Sequence, residues 1–210
     1  MNFVDFTAEF AAFATLFVVI DPIAVAPLFM TLTRNMEPAQ RRAAALRACL
    51  VAAAVLTVFG LIGDKLLQFL GISLNSFRIS GGILLFIIAA EMLFEKRTER
   101  RTSNTHASHD PSVFPIAVPL VAGPGAMATM VLLSAQEGGG WEWIVSIHVV
   151  MLSVLLITFA MFLIGAKIDK LFGKNGINVL TRLFGILLAA LAVQIVLDGL
   201  GGFGLKPVGE

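Results

Sequence analysis

The sequence predicts an all-α, polytopic transmembrane bundle of six spans, built as two inverted three-helix repeats with broken first and fourth helices. Three observations predict it: the composition, six apolar stretches long enough to cross a bilayer, and a weak repeat relating the two halves. Of the 210 residues, 58% are hydrophobic and only 14% are charged. Soluble domains run at roughly half apolar and a quarter charged. A net charge of +1 points to neither nucleic acid nor a strongly acidic partner. The single cysteine, Cys49, excludes an intrachain disulfide and lies in an apolar run, where it reads as a packing residue.

A hydrocarbon core about 30 Å thick needs about 20 apolar residues per helix. Spans are therefore expected at Phe10 to Thr33, Leu46 to Gly63, Phe77 to Phe94, Val113 to Ala135, Trp143 to Gly165 and Val179 to Leu200. A soluble protein with six buried core helices would need far more polar surface than this chain supplies. A cleaved signal peptide is not expected. Met1 to Glu9 holds Asp5 and Glu9 but no Lys or Arg, and the apolar run that follows is too long and has no small-residue cleavage site.

Basic residues set the orientation, because Lys and Arg concentrate in cytoplasmic connections. The first connection is read as holding Arg34, Arg41, Arg42 and Arg47, the third Lys96, Arg97, Arg100 and Arg101, and the fifth Lys167, Lys170, Lys174 and Arg182. These are 12 of the 15 basic residues, leaving Lys65, Arg78 and Lys206 for the other side. Both termini are thus expected outside the cytoplasm, in a multi-pass plasma membrane (the inner membrane of a bacterium). Trp141 and Trp143 stand at the outer start of the fifth span, where interfacial anchors belong.

The chain reads as one transmembrane domain, with a first repeat over 1–94, a cytoplasmic linker over 95–112 and a second repeat over 113–210. His106 and His109 lie three apart in that linker, with no Cys or further His to complete a metal site. At a shift of 102 residues Pro22, Ala24 and Ala26 meet Pro124, Ala126 and Ala128. At a shift of 103, Gly82-Ile83-Leu84-Leu85 meets Gly185-Ile186-Leu187-Leu188, Ala89 meets Ala192, and Glu91 meets Gln194. Three spans per half is an odd number, so the second half enters the membrane from the opposite side. Inverted repeats of this kind recur in secondary transporters.

The first span contains Asp21-Pro22 and Pro27, and the fourth contains Pro115, Pro119 and Gly123-Pro124-Gly125. Proline lacks an N–H and clashes with the carbonyl four residues back. Pro22, Pro27 and Pro124 therefore deprive the carbonyls of Val18, Ile23 and Leu120 of helical partners. Such groups cost on the order of 2–7 kcal/mol in hydrocarbon and persist only where protein or water covers them. Both breaks fall near the middle of their spans and are equivalent under the repeat. Proline suits the first position of the half-helix that follows, and Asp21 suits the N-cap before it. Helix N-termini offer free N–H donors and partial positive charge, which suit a carboxylate. The plainer alternative is a pair of packing kinks with Asp21 as a structural cap.

Asp21 is the only acidic residue near a bilayer centre, where a charge is costly and functional by default. The substrate site is read as Asp21, Pro22, Ala24, Pro27, Gly123, Pro124, Gly125 and Thr129. Glu91 and its repeat mate Gln194 are candidate gates. Thr129, Ser134, Ser80 and Thr31 can each bond a carbonyl of their own helix, and His148 reads as packing. No nucleotide-binding glycine loop, Ser-His-Asp set or HExxH motif appears, so neither enzyme chemistry, a cofactor nor a metal is expected.

The segments DPIAVAPLFMTLT (21–33) and PLVAGPGAMATMVLLS (119–134) resemble the two signatures of the MarC family of integral membrane proteins. The resemblance covers essentially the whole chain. The family is also classed as the neutral amino acid transporter (NAAT) family, which implies small neutral substrates such as alanine and glycine, carried across the lipid bilayer with H⁺ or Na⁺ as a conceivable coupling ion. Its first motif commonly has Gly and Asn where this chain has Ala24 and Val25, so a polar side chain beside the break is lost. A passive channel and an accessory or scaffold protein linked to drug resistance are the rival functions. A homo-oligomer is compatible with each.

The orientation is testable with topology reporters. Alkaline phosphatase fused after Gly204 should be active and fused after Asn104 inactive, with green fluorescent protein giving the reverse. The opposite pattern would refute it.

Overall fold

A computed structural model describes residues 3–34, 36–94, 121–135 and 140–204. These residues form six helices: α1 (Phe3–Ile20), α2 (Pro22–Leu32), α3 (Pro38–Phe69), α4 (Leu74–Leu93), α5 (Pro124–Ser134) and α6 (Trp141–Gly201). No strand occurs among the described residues. Helix α6 comprises two membrane-length arms, Trp141–Gly165 and Gly176–Gly201. Between them Gly173 takes φ 59° and ψ 174°, a conformation essentially confined to glycine.

Five stretches are long and apolar enough to cross a bilayer: Thr7–Leu32, Pro38–Phe69, Leu74–Leu93 and the two arms of α6. Of the sixth expected span, α5 is the described second half. Residues 113–120, with Pro115 and Pro119, lie outside the described residues, as does the linker with His106 and His109. The second span is longer than its apolar stretch suggests. Pro38 opens α3 at a position where proline is tolerated, and Gln40 Oε1 accepts from the Glu37 N–H at 3.2 Å. Arg41, Arg42 and Arg47 are therefore helical residues rather than members of a connection. Alanine and arginine favour helix strongly enough to carry α3 beyond the hydrocarbon. Helix α4 likewise starts early, because Ser73 Oγ accepts from the Ser76 N–H at 3.1 Å.

Apolar side chains divide between a core and an outward face. Leu16, Ile20, Phe29, Leu56, Leu85, Met130, Met151, Phe162 and Leu188 are fully buried. Leu46, Leu50, Val58, Ile83, Leu152, Leu156, Ile186 and Leu187 are exposed. In water that surface would carry a large penalty; against lipid tails it carries none. The chain is an integral membrane bundle on this ground.

The core is made across the halves. Helix α2 packs on the first arm of α6, α5 packs on α3, and α4 packs on α6. Phe29 and Phe162 stack at 4.3 Å with their planes 11° apart. Glycines make the close approaches, as small residues do between membrane helices. A Cβ on Gly165 would lie 2.8 Å from Met30, and one on Gly63 would strike Val131. A Cβ on Gly82 would lie 2.8 Å from the Ala192 carbonyl oxygen and 2.7 Å from Val196. One on Gly185 would lie 3.2 Å from the Ala89 oxygen and 3.2 Å from Leu93. The shift of 103 residues converts Gly82, Ala89 and Leu93 into Gly185, Ala192 and Val196. Each contact thus has a mate in which the two halves exchange roles, as a two-fold relation requires.

Gly82→Leu should lower stability in detergent by about 1–3 kcal/mol through overpacking against backbone. Gly140→Ala, which would meet nothing within 4 Å, should leave the melting temperature unchanged. Equal melting curves for the two variants would disprove this packing.

Candidate functional site

The first break is a single residue wide. Helix α1 ends at Ile20, Asp21 takes φ 57° and ψ 63°, and α2 begins at Pro22. Pro22 disfavours the right-handed α region for the residue before it. Aspartate is among the few residues that tolerate the left-handed region, because its short side chain can bond nearby backbone. Asp21 does so: Oδ1 accepts from the Ala24 N–H at 3.3 Å. The Asp21 N–H donates to the Phe17 carbonyl at 2.9 Å, closing α1, and its carbonyl accepts from Val25 at 3.0 Å, starting α2. Asp21 is the only non-glycine residue with positive φ among the described residues, and it is fully buried.

The second break differs. Gly123 is the N-cap of α5 in an extended conformation and offers no side-chain acceptor. Pro124 follows with no N–H to satisfy, and the Gly123 carbonyl accepts from Met127 at 3.0 Å. The N–H groups of Gly125 and Ala126 therefore open the helix without an acceptor within it. At the first break Asp21 already occupies the corresponding donor. One break thus has a side-chain cap and the other has none.

These two ends are neighbours. A Cβ on Gly125 would lie 3.3 Å from Val19, two residues before Asp21, and 2.5 Å from Ile88 of α4. Gly125 is buried, Gly123 is half-buried and Pro124 is exposed. Pro22 is buried, while Ala24 and Pro27 are half-buried. Thr31 Oγ1 donates to the Pro27 carbonyl at 3.0 Å.

Thr129 is buried, and its hydroxyl donates to the Gly125 carbonyl at 2.8 Å. It also lines a cavity of about 490 Å³ between α1, α4, α5 and the second arm of α6, together with Thr15, Arg78, Gln194 and Asp198. Gln194 and Glu91 are not brought together. Gln194 sits at the level of Gly82, and Glu91 at the level of Gly185, about 14 Å along the helix pair at 1.5 Å per residue. They stand towards opposite ends of the bundle, as the positions of the two residues in their spans lead one to expect.

The sequence reading missed Thr15 and Asp198 and used Arg78 only as a charge count. Their signal was available for Asp198: Gln194 Nε2 donates to its Oδ1 at 2.8 Å, a polar i, i+4 pair in an apolar helix. Trp143 also has a second role. Its indole N–H donates to the Leu133 carbonyl at 2.8 Å and caps the last turn of α5, whereas Trp141 is exposed at the helix start.

A family model described as "MarC family integral membrane protein" matches residues 6–203. The chain belongs to the MarC family. It is 37% identical over 193 residues to the UPF0056 inner membrane protein YhgN of Escherichia coli K12, covering 90% of this chain and 94% of that one. It is 34% identical over 197 residues to a UPF0056 membrane protein of Archaeoglobus fulgidus, covering 91% of each. No solved structure matches. The MarC match runs through both breaks, so the geometry at Asp21 and Gly123 belongs to the part of the chain that the family shares.

Asp21→Ala removes the cap and keeps a Cβ in the left-handed region, and should cost about 2–3 kcal/mol. Asp21→Gly loses the cap but relieves the backbone, and should cost less. Thermal unfolding in detergent checks the order, and equal losses would refute the left-handed assignment.

Proposed function

We propose that this MarC protein is a secondary transporter or exporter of small neutral solutes, neutral amino acids such as alanine or glycine, across a bacterial inner membrane. The observation that carries the reading is the approach of the two helix breaks, one bearing a buried carboxylate and the other opening a helix without a side-chain cap. A zwitterion matches that pair. Its carboxylate would accept from Gly125 and Ala126, and its ammonium would face Asp21. Each end would find a partner in a medium where an unpaired polar group costs several kcal/mol, on the order of 2–7. H⁺ or Na⁺, if coupled, would act at Asp21.

The two halves are proposed to be inverted repeats, from the shared motifs and the exchanged glycine contacts. Because α2 and α5 each rest on the opposite half, the alternation of access is assigned to these short helices, sliding on α6 and α3 about the breaks. Such small sliding movements of packed helices are an ordinary way for a site to open and close. Ala24 and Val25 leave the first break without the amide that the family motif commonly carries, so recognition falls on backbone groups and Asp21.

Uptake of radiolabelled alanine and glycine into proteoliposomes tests the proposal, with and without H⁺ and Na⁺ gradients. Saturable uptake by the wild type should fall at least about tenfold in Asp21→Asn, the loss of one charge-assisted contact. Unsaturable flux would indicate a channel, and absence of flux in a folded, oriented sample would count against these substrates.

A further inference from the structure

The cavity beside the second break is lined by groups of both charges. Arg78 lies near the start of α4 and Asp198 near the end of α6, and Gly199 brings them together. A Cβ on Gly199 would lie 3.1 Å from the Arg78 Cβ and 2.9 Å from the Asn75 carbonyl oxygen. Yet the two charges do not bond each other. Arg78 Nη1 donates to Asn75 Oδ1 at 3.2 Å, and Asp198 Oδ1 accepts from Gln194 at 2.8 Å. Opposite charges side by side at a membrane surface would ordinarily close on one another. Here each is steadied by an amide from its own helix and faces the same space.

Thr129 also lines the cavity, and its hydroxyl donates to the Gly125 carbonyl in the first turn of α5. Thr15 of α1 adds a second wall residue, with its hydroxyl turned back to the Ala11 carbonyl at 2.8 Å. The space therefore borders the helix that the second break opens, with Arg78 and Asp198 in its wall. Its volume of about 490 Å³ falls within the roughly 300–1,000 Å³ of small-molecule sites.

We infer that this cavity is a vestibule that binds a small zwitterion ahead of the helix breaks, with Arg78 holding its carboxylate and Asp198 its ammonium. The inference rests on the transport reading for its role but not for its ligand chemistry, since the two charges would select a zwitterion in any case. Gln194 positions Asp198. The same chemistry is carried by an ethanolamine phospholipid headgroup, and the experiment separates the two sources.

Equilibrium binding of radiolabelled alanine to the full chain in lipid-free detergent is the direct test, with propionate and alanine methyl ester as half-ligand competitors. Arg78→Gln and Asp198→Asn should each weaken binding about tenfold, and Arg78→Lys and Asp198→Glu should restore most of it. Propionate should stop competing in Arg78→Gln, and the methyl ester should stop competing in Asp198→Asn, a split that a merely structural role would not give. Unchanged affinity in both neutral variants, with uptake still abolished by Asp21→Ala, overturns the vestibule and leaves the transporter standing. Saturable binding with this competition pattern but no uptake supports the vestibule and defeats the transporter. A wild type that binds no alanine without lipid, or variants that differ only when phosphatidylethanolamine is added, overturns the vestibule in favour of a lipid site.

Discussion

Every backbone N–H and C=O inside the hydrocarbon needs a partner, and the Asp21-Pro22 peptide meets that demand where the chain breaks it. Pro22 removes a donor, and Asp21 restores continuity on both sides. Its N–H closes α1, its carbonyl starts α2, and its carboxylate takes the Ala24 N–H. The cost is a left-handed residue, on the order of 1–2 kcal/mol, buried where no water can share it. The rest of the bundle is arranged so that this turn is enclosed by α5 and α6 and never meets lipid.

The second break meets the same demand by a different route. Gly123 and Gly125 supply no side chain, so α5 has no side-chain cap of its own at its start. Symmetry in the sequence thus gives two unlike ends in space. One is capped by a side chain, and the other is not.

The glycine contacts explain how two weakly similar halves form one body. Helix–helix association in lipid depends on close packing rather than on escape from water. Gly82, Gly185, Gly63 and Gly165 remove the side chains that would hold the helices apart. Each half therefore completes the other, and the described helices of one half make their main contacts with those of the other. Such interlacing suits movement of the short helices within the frame better than separation of two rigid halves.

The membrane class, the positions of the spans and the two breaks were legible in the sequence, because long apolar runs and intramembrane prolines have few structural solutions. The motifs shared by the two halves were legible because they include glycines that sit where close packing admits only small residues. Helix ends were less so. The Ser73 cap and the Glu37–Gln40 capping box before Pro38 carried α4 and α3 past their apolar stretches, since local hydrogen bonds and not hydropathy end a helix. The left-handed turn at Asp21, the approach of the two breaks and the cavity joining Thr129 to Arg78 and Asp198 were decided only by the tertiary structure. These are distances between helices, fixed by which glycine faces which backbone, and a one-dimensional pattern of apolar and polar residues does not contain them.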